Sequence, residues 1–348
     1  MQARWPALAA LRTEKQIVDL TTRTRYDTIS QLGRGSGGNT FTASTDGSEQ
    51  PSVVIKEVRR RNGEAMEVYK DRVRREYLIS LLMFDADPDI CERGVVCAES
   101  QFFHKLSGYI VFPFDNAVSL ERYLEGSFYD AFEPRQPLQY QIAALLMAER
   151  MCDAVDMLHS IGLYHGDIKP ANVVVTRNRL RPDLVTGIKL IDFDLACSSK
   201  AAGFLESVLE DPRLLACAQS EGGATAVYYG TPLFLDPLAG RGKARTAVPK
   251  RQVDRFFPLF DLFALGLTIQ LVFDVRQDLS PPASGPFIVR DTRRMPKVAR
   301  KGLPDTSPVL TILRSMTGDA EDRQPAGSYQ RQFKIVRRTL ERQAGRAM

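Results

Sequence analysis

His165-Gly166-Asp167-Ile168-Lys169-Pro170-Ala171-Asn172 places a carboxylate, an amine and a carboxamide in one short loop. Those groups suit phosphoryl transfer from ATP. The carboxylate can take the proton of an acceptor hydroxyl, the cation can sit beside the transferring phosphate, and the amide oxygen can bind a metal ion. Ile191-Asp192-Phe193-Asp194 follows downstream and adds another candidate metal-binding carboxylate, Asp192.

Upstream, residues 26–60 alternate β-rich runs with Gly, Ser, Thr and Asp turns. Tyr26–Leu32, Asn39–Ser44 and Ser52–Arg59 are expected strands, followed by a helix over Glu64–Phe84 and strands at Val95–His104 and Gly108–Phe114. The pattern predicts a five-stranded sheet with one helix. Gly33, Gly35 and Gly38 form a G-x-G-x-x-G between the first two strands, where glycines let backbone amides approach phosphate. Alone the motif also fits a Gly-rich hairpin, and the strand-like Thr40–Ala43 argues against a dinucleotide fingerprint. Lys56 ends the run Val53-Val54-Ile55. By residue alone it is a solvated strand-end lysine or one that points inward and needs a carboxylate partner from the following helix. Glu76 is favoured because it adjoins Leu78, Leu81 and Leu82. Glu64 and Glu67 fall in the first turn, where any helix favours acids.

Downstream the chain is mainly helical, with helices expected at Leu138–His159, Leu259–Phe273, 307–317 and 328–344, and short strands at Val173–Thr176 and Ile188–Ile191. Between them, 196–255 is long and irregular. It holds a candidate extra helix over Gly203–Ala218 and a basic run from Arg241 to Arg255, read as a solvated loop or a docking patch for acidic partners. The C-terminal run Arg331–Arg346 is read as a solvated basic helix face. A net charge of +5 over 348 residues does not mark a nucleic-acid binder. Five cysteines without a C-x-x-C pair favour reduced thiols in a reducing, cytoplasmic compartment over a disulfide framework or a zinc site. Phe256–Val275 is apolar, but Pro258, Asp261, Gln270 and Asp274 favour a buried core helix over a membrane span. Met1–Leu11 carries no secretory signal and leaves a transit peptide open.

The order and placement of these motifs resemble the eukaryotic-type protein kinases, Ser/Thr type. Gly230-Thr231-Pro232-Leu233-Phe234-Leu235-Asp236-Pro237 resembles the segment that positions peptide substrates there. Asp261-Leu262-Phe263-Ala264-Leu265-Gly266 resembles the start of the helix that anchors the catalytic loop. The resemblance implies an α+β, bilobal fold. It would have an extension over 1–25 and a kinase domain over 26–343, with an N-lobe to 113, a hinge at 113–118 and a helical C-lobe over 119–343. It implies ATP and Mg²⁺ as cofactors and a protein substrate, with no nucleic acid and no membrane span. By it, Asp167 is the base, Lys169 the cation near the γ-phosphate, and Asn172 and Asp192 the metal ligands. Lys56 binds phosphate, Glu76 orients Lys56, and Thr231 lies beside Asp167 and Lys169. Gly33, Gly35, Gly38, Thr40, Val54, Phe112, Phe114 and Val174 line the nucleotide site.

Several residues depart from the family pattern. Gly166 stands where most kinases have an Arg that pairs with a phosphorylated activation segment, so activity is expected not to depend on that phosphorylation. Asp194 replaces a Gly whose backbone freedom Asp tolerates better than most residues. Leu238 replaces a Glu that would pair with Arg323, so that ion pair is missing or replaced. Val54 adds bulk over the base. Ala171 replaces an acid common in kinases of Arg-rich substrates, which favours acidic substrates over Arg-rich ones. Two functions from different classes follow. One is a Ser/Thr protein kinase, and the other a pseudokinase that binds nucleotide or scaffolds partners with little turnover. A small-molecule kinase fits less well with the Gly-Thr-Pro segment.

Overall fold

A computed structural model describes residues 16–35, 38–126, 128, 137–177, 185–198, 217, 225–229, 231, 234, 245–249, 252–273 and 307–346. The chain divides into two compact units, Met1–Asp85 with Val96–Asp115, and Ala86–Val95 with Asn116–Met348.

The first unit is an antiparallel sheet of β1 (Gln16–Val18), β2 (Arg25–Gly35), β3 (Gly38–Ser44), β4 (Val53–Val58), β5 (Ser100–His104) and β6 (Ser107–Pro113), with helix α1 (Met66–Ala86). The order is β1-β2-β3-β4-β6-β5. In β4, Val53 and Ile55 are buried while Val54 and Lys56 are only partly covered, the alternation of a strand with one face on a core. Tyr26 and Tyr109 each stack on Phe102, with ring centres 5.5 Å and 5.3 Å apart, and form that core with Ile17 and Ile55.

The sheet thus has six strands where five were expected, and the extra strand falls in the stretch assigned to an N-terminal extension. Fully buried Ile17 docks β1, worth about 2 kcal/mol of apolar burial. Asp19 shapes the turn that follows by accepting from Thr21 N at 2.9 Å and Thr22 Oγ1 at 2.7 Å. Three residues are too few to show a period; only the Asp-x-Thr-Thr turn chemistry marks the spot. The strand expected over Val95–His104 is shorter, because Ile90–Gly94 closes a π-helical turn and pairing starts at Ser100.

The second unit contains β7 (Ala117–Ser119), α2 (Leu120–Gly126), α3 (Pro137–Ser160), β8 (Leu163–Tyr164), β9 (Val173–Arg177), β10 (Val185–Leu190), β11 (Cys197–Ser198), β12 (Thr225–Tyr229), β13 (Arg245–Pro249), α4 (Val253–Val272), α5 (Pro308–Thr317) and α6 (Ala326–Arg346). Helix α3 is its spine. Arg337 of α6 pairs with Glu149 of α3 at 2.9 Å, and Tyr140 of α3 donates to Val272 O at 2.8 Å. The expected solvated face of α6 is therefore partly engaged. Helix α5 starts on Ser307, whose hydroxyl caps Val309 N, with Pro308 at the first helical position. Helix α4 is long and apolar enough to cross a membrane, but 67% of its most apolar window is buried within the fold.

Two small ladders place the loops. β11 pairs with β8 through Cys197↔Tyr164 and Ser198↔Leu163. β13, inside the basic run read as a solvated loop, pairs with β12 from Arg245↔Tyr229 to Pro249↔Thr225. Cys197 and Cys217 form a disulfide, so the expectation of reduced thiols fails here. Cys152 is a free, buried thiol whose pKa burial pushes well up. The expected extra helix over Gly203–Ala218 lies outside the described residues except for Cys217, and Leu238 lies outside them too.

Candidate active site

In the first unit, Tyr69, Val73, Glu76, Ser80 and Met83 form the buried stripe of α1 at helical spacing. A carboxylate on such a stripe needs a partner. Glu76, 2% exposed, meets Lys56 Nζ at 2.8 Å, a charge-assisted contact. The other two candidates bond elsewhere. Glu64 binds Arg72 at 2.9 Å, which holds its pKa down at about 2, and exposed Glu67 binds Lys70 at 3.0 Å. Thr40 lies opposite Lys56, and Val54 opposite Phe112, so these four side chains share one sheet face. Gly33 and Gly35 end β2, and Gly38 opens β3 opposite Gly35. Phe114, just past β6, is half-buried and donates its N–H to Ser52 O.

In the second unit, the Asp167 carboxylate accepts four hydrogen bonds. Thr231 N and Thr231 Oγ1 reach Oδ1 at 3.0 Å and 2.5 Å. Lys169 Nζ and Asn172 Nδ2 reach Oδ2 at 2.6 Å and 3.1 Å. Lys169 also donates to Thr231 Oγ1 at 2.9 Å. The Asn172 amide nitrogen further donates to Asp167 O at 2.9 Å, which leaves Asn172 Oδ1 with no donor among the described residues. That oxygen is a hard ligand of the kind Mg²⁺ takes. Asp192 adopts φ +67, a left-handed conformation rare outside Gly, Asn and Asp. Asp194 is exposed and does not share it. The unusual backbone expected at Asp194 is thus found two residues earlier. Val174 sits in β9, partly buried, opposite Lys189 and Ser119.

The loop holding Asp167 is irregular and is fixed from α4. Fully buried Asp261 accepts His165 N at 2.8 Å and Gly166 N at 3.0 Å, and lies 3.1 Å from His159 Nε2. His165 Nε2 lies 3.1 Å from Ile191 O, and its ring packs on Phe193 with centres 4.8 Å apart. Asn172 O accepts Ile191 N at 3.0 Å. The two motifs are therefore tied together by main chain and ring. Gly166 has φ +80, and a Cβ there would lie 2.8 Å from Leu195 O. Gly166 thus removes a cation and also meets a backbone demand.

Asp261 was not assigned a site role from sequence. Two signals were available: its place at the head of the segment that resembles the helix anchoring the catalytic loop, and a lone Asp in an apolar run, which must be partnered once buried. Asp254, which accepts from the Tyr164 hydroxyl at 2.5 Å, was missed for lack of any local pattern. Arg323 meets backbone carbonyls. It donates to Gly318 O at 2.7 Å and Leu259 O at 2.9 Å, and lies over the Phe263 ring at 5.1 Å.

Residues 26–217, more than half of the chain, match the family model described as protein kinase domain. The chain is 26% identical over 250 residues to the probable serine/threonine-protein kinase PknB of Lactococcus lactis, covering 72% of this chain and 32% of that protein. It is 24% identical over 221 residues to serine/threonine-protein kinase PknD of Chlamydia caviae, covering 63% and 22%. It is 29% identical over 175 residues to cyclin-dependent kinase 4 of Mus musculus, covering 50% and 52%. The matched region thus spans between about a fifth and about half of these relatives' own lengths.

Proposed function

Given that the chain belongs to the protein kinase family, we propose that it is an active Ser/Thr protein kinase that transfers the γ-phosphate of ATP to a protein hydroxyl. The observation that carries this reading is the Asp167 carboxylate, oriented by Lys169 and Asn172 of its own loop and by Thr231 from 64 residues further on. The glycine-rich hairpin and Lys56 hold the nucleotide phosphates, and Glu76 orients Lys56. Asn172 Oδ1 and the Asp192 carboxylate are the groups that hold Mg²⁺, which when bound neutralises charge on the phosphates. Asp167 accepts the proton of the acceptor hydroxyl, and Lys169 stands beside the phosphate that moves. Thr231 bridges Lys169 and Asp167, the arrangement that supports Ser/Thr acceptors.

The domain is taken to extend past the matched residues to 343. Asp261 and Arg323 lie beyond residue 217, and Asp261 anchors the catalytic loop. Ala171 and the basic run from Arg241 to Arg255 support acidic rather than Arg-rich substrates. The second reading, a nucleotide-binding scaffold with little turnover, is favoured by Asp194, an exposed carboxylate two residues from Asp192.

One experiment separates them: Mg-ATP binding by thermal shift with phosphate transfer to a degenerate peptide library. An active kinase transfers phosphate and loses about 10²–10⁴-fold of the rate in Asp167→Asn without losing ATP binding. Binding with no transfer by the wild type supports the scaffold. An Arg-directed library motif refutes the substrate preference.

A further inference from the structure

A glycine-rich hairpin has little side-chain packing of its own, so something else must hold its backbone in place. On the sheet face opposite Lys56, a chain of hydrogen bonds runs toward it. The Tyr109 hydroxyl donates to Glu57 Oε1 at 3.2 Å, and Asn39 Nδ2 donates to Glu57 Oε2 at 2.8 Å. Gln31 Nε2 then donates to Asn39 Oδ1 at 3.3 Å and to Gly33 O at 3.2 Å. The chain crosses β6, β4, β3 and β2 and ends on the first glycine of the motif. Glu57 is 6% and Asn39 8% exposed, so both polar groups are held out of water and need these partners. The last glycine meets the same residue through its backbone. Gly38 has φ +155, and a Cβ on it would collide with the Glu57 carbonyl.

We propose that Glu57 and Asn39 form a positioning pair that fixes the glycine-rich hairpin against the strand bearing Lys56 and so sets affinity for the nucleotide phosphates. Lys56 and Glu57 are consecutive, so their side chains leave opposite faces of β4. Lys56 is tied to Glu76 on one side, and Glu57 holds the hairpin on the other. A hairpin released from Glu57 moves relative to Lys56, and contacts that require both are lost. The inference rests on the proposal that the hairpin receives ATP phosphates.

The test compares binding of ATP with binding of adenosine, which lacks the phosphates. Asn39→Asp sets a second carboxylate against Glu57. It should weaken ATP about tenfold, the worth of a hydrogen bond to a charged group, with adenosine within about twofold. The double variant Asn39→Asp, Glu57→Gln restores an amide–carboxylate pair with its polarity reversed, and should recover ATP affinity to within about threefold. Gln31→Ala cuts only the last link, is the variant to use if Asn39→Asp does not fold, and should weaken ATP about threefold with adenosine unchanged. A purely structural network would lower the melting temperature while leaving the ATP-to-adenosine ratio unchanged, and that result overturns the pair. Wild type that binds adenosine and ATP equally, or binds neither, overturns the nucleotide reading itself.

Discussion

Lys56 sits in a regular strand and meets Glu76 of a regular helix, whereas Asp167 sits in irregular backbone. The Asp167 loop is held from distant positions. Asp261 takes two of its backbone N–H groups across 96 and 95 residues, and Thr231 bonds Asp167 across 64. The difference shows two ways of placing a charged group. In the first, sheet and helix periods set the side chain's direction, and one ion pair completes the arrangement. In the second, the local chain has no preferred shape, and buried polar groups elsewhere impose one.

The largest break in this contrast should come from Asp261→Ala. It leaves the His165 and Gly166 N–H groups buried without their acceptor, at about 1–3 kcal/mol each. A stability loss of about 2–6 kcal/mol in denaturant unfolding is expected, together with loss of transfer. Glu76→Gln keeps shape and a hydrogen-bonding oxygen, and should cost only about 1 kcal/mol. Equal losses in the two variants would abolish the contrast.

Next in size is the Cys197–Cys217 cross-link, which is buried among Tyr164, Val253 and Phe257 beside the catalytic loop. Closing a loop of this sequence separation is worth about 3 kcal/mol by the chain-entropy model. Cys217→Ser and Cys197→Ser should lower the melting point alike, and their effects should not add. A wild-type chain with two titratable thiols at these positions after non-reducing purification would refute the link.

Gly166→Arg should fail to install phosphate control. The position is left-handed and faces Leu195 O, so the variant loses about 1–3 kcal/mol of stability through strain. Its activity should remain indifferent to phosphatase. A variant as stable as wild type and dependent on phosphorylation would show that the glycine is dispensable.

The smallest effect belongs to the first unit's surface. Arg72 holds the Glu64 pKa down at about 2 from the ordinary 4.5. A carboxylate with a depressed folded-state pKa stabilises fully above its unfolded value, and that contribution fades as pH falls from about 4.5 toward about 2. Glu64→Gln should remove that contribution, lowering stability modestly at neutral pH, converging on the wild type near pH 2 and so flattening this part of the acid-denaturation profile. An unaltered acid limb would count against the pairing.

Much of the first unit was readable because its elements repeat. Val53-Val54-Ile55-Lys56 alternates as a strand must, and Glu76 was singled out beside Leu78, Leu81 and Leu82, although the buried stripe it joins is Tyr69, Val73, Ser80 and Met83. The loop around Asp167 stood out by the types and spacing of Asp167, Lys169 and Asn172, on which its proposed catalytic role rests. β1 was not, because three residues carry no period and only Ile17 reaching the core reveals them. The carbonyls that receive Arg323 were also hidden, since backbone acceptors have no residue type.

By itself the amino-acid sequence determined the family, the strand and helix periods, and which charged groups are candidates for chemistry, since these depend on residue type and short-range spacing. Only the tertiary structure decided which N–H groups the Asp261 carboxylate takes, that Cys197 meets Cys217, that Asp192 rather than Asp194 carries the left-handed backbone, and that Glu57 meets Asn39 behind the glycine hairpin. Most of these are pairings between residues far apart in the chain. Such pairings follow from how elements pack, and no local pattern in the chain records them.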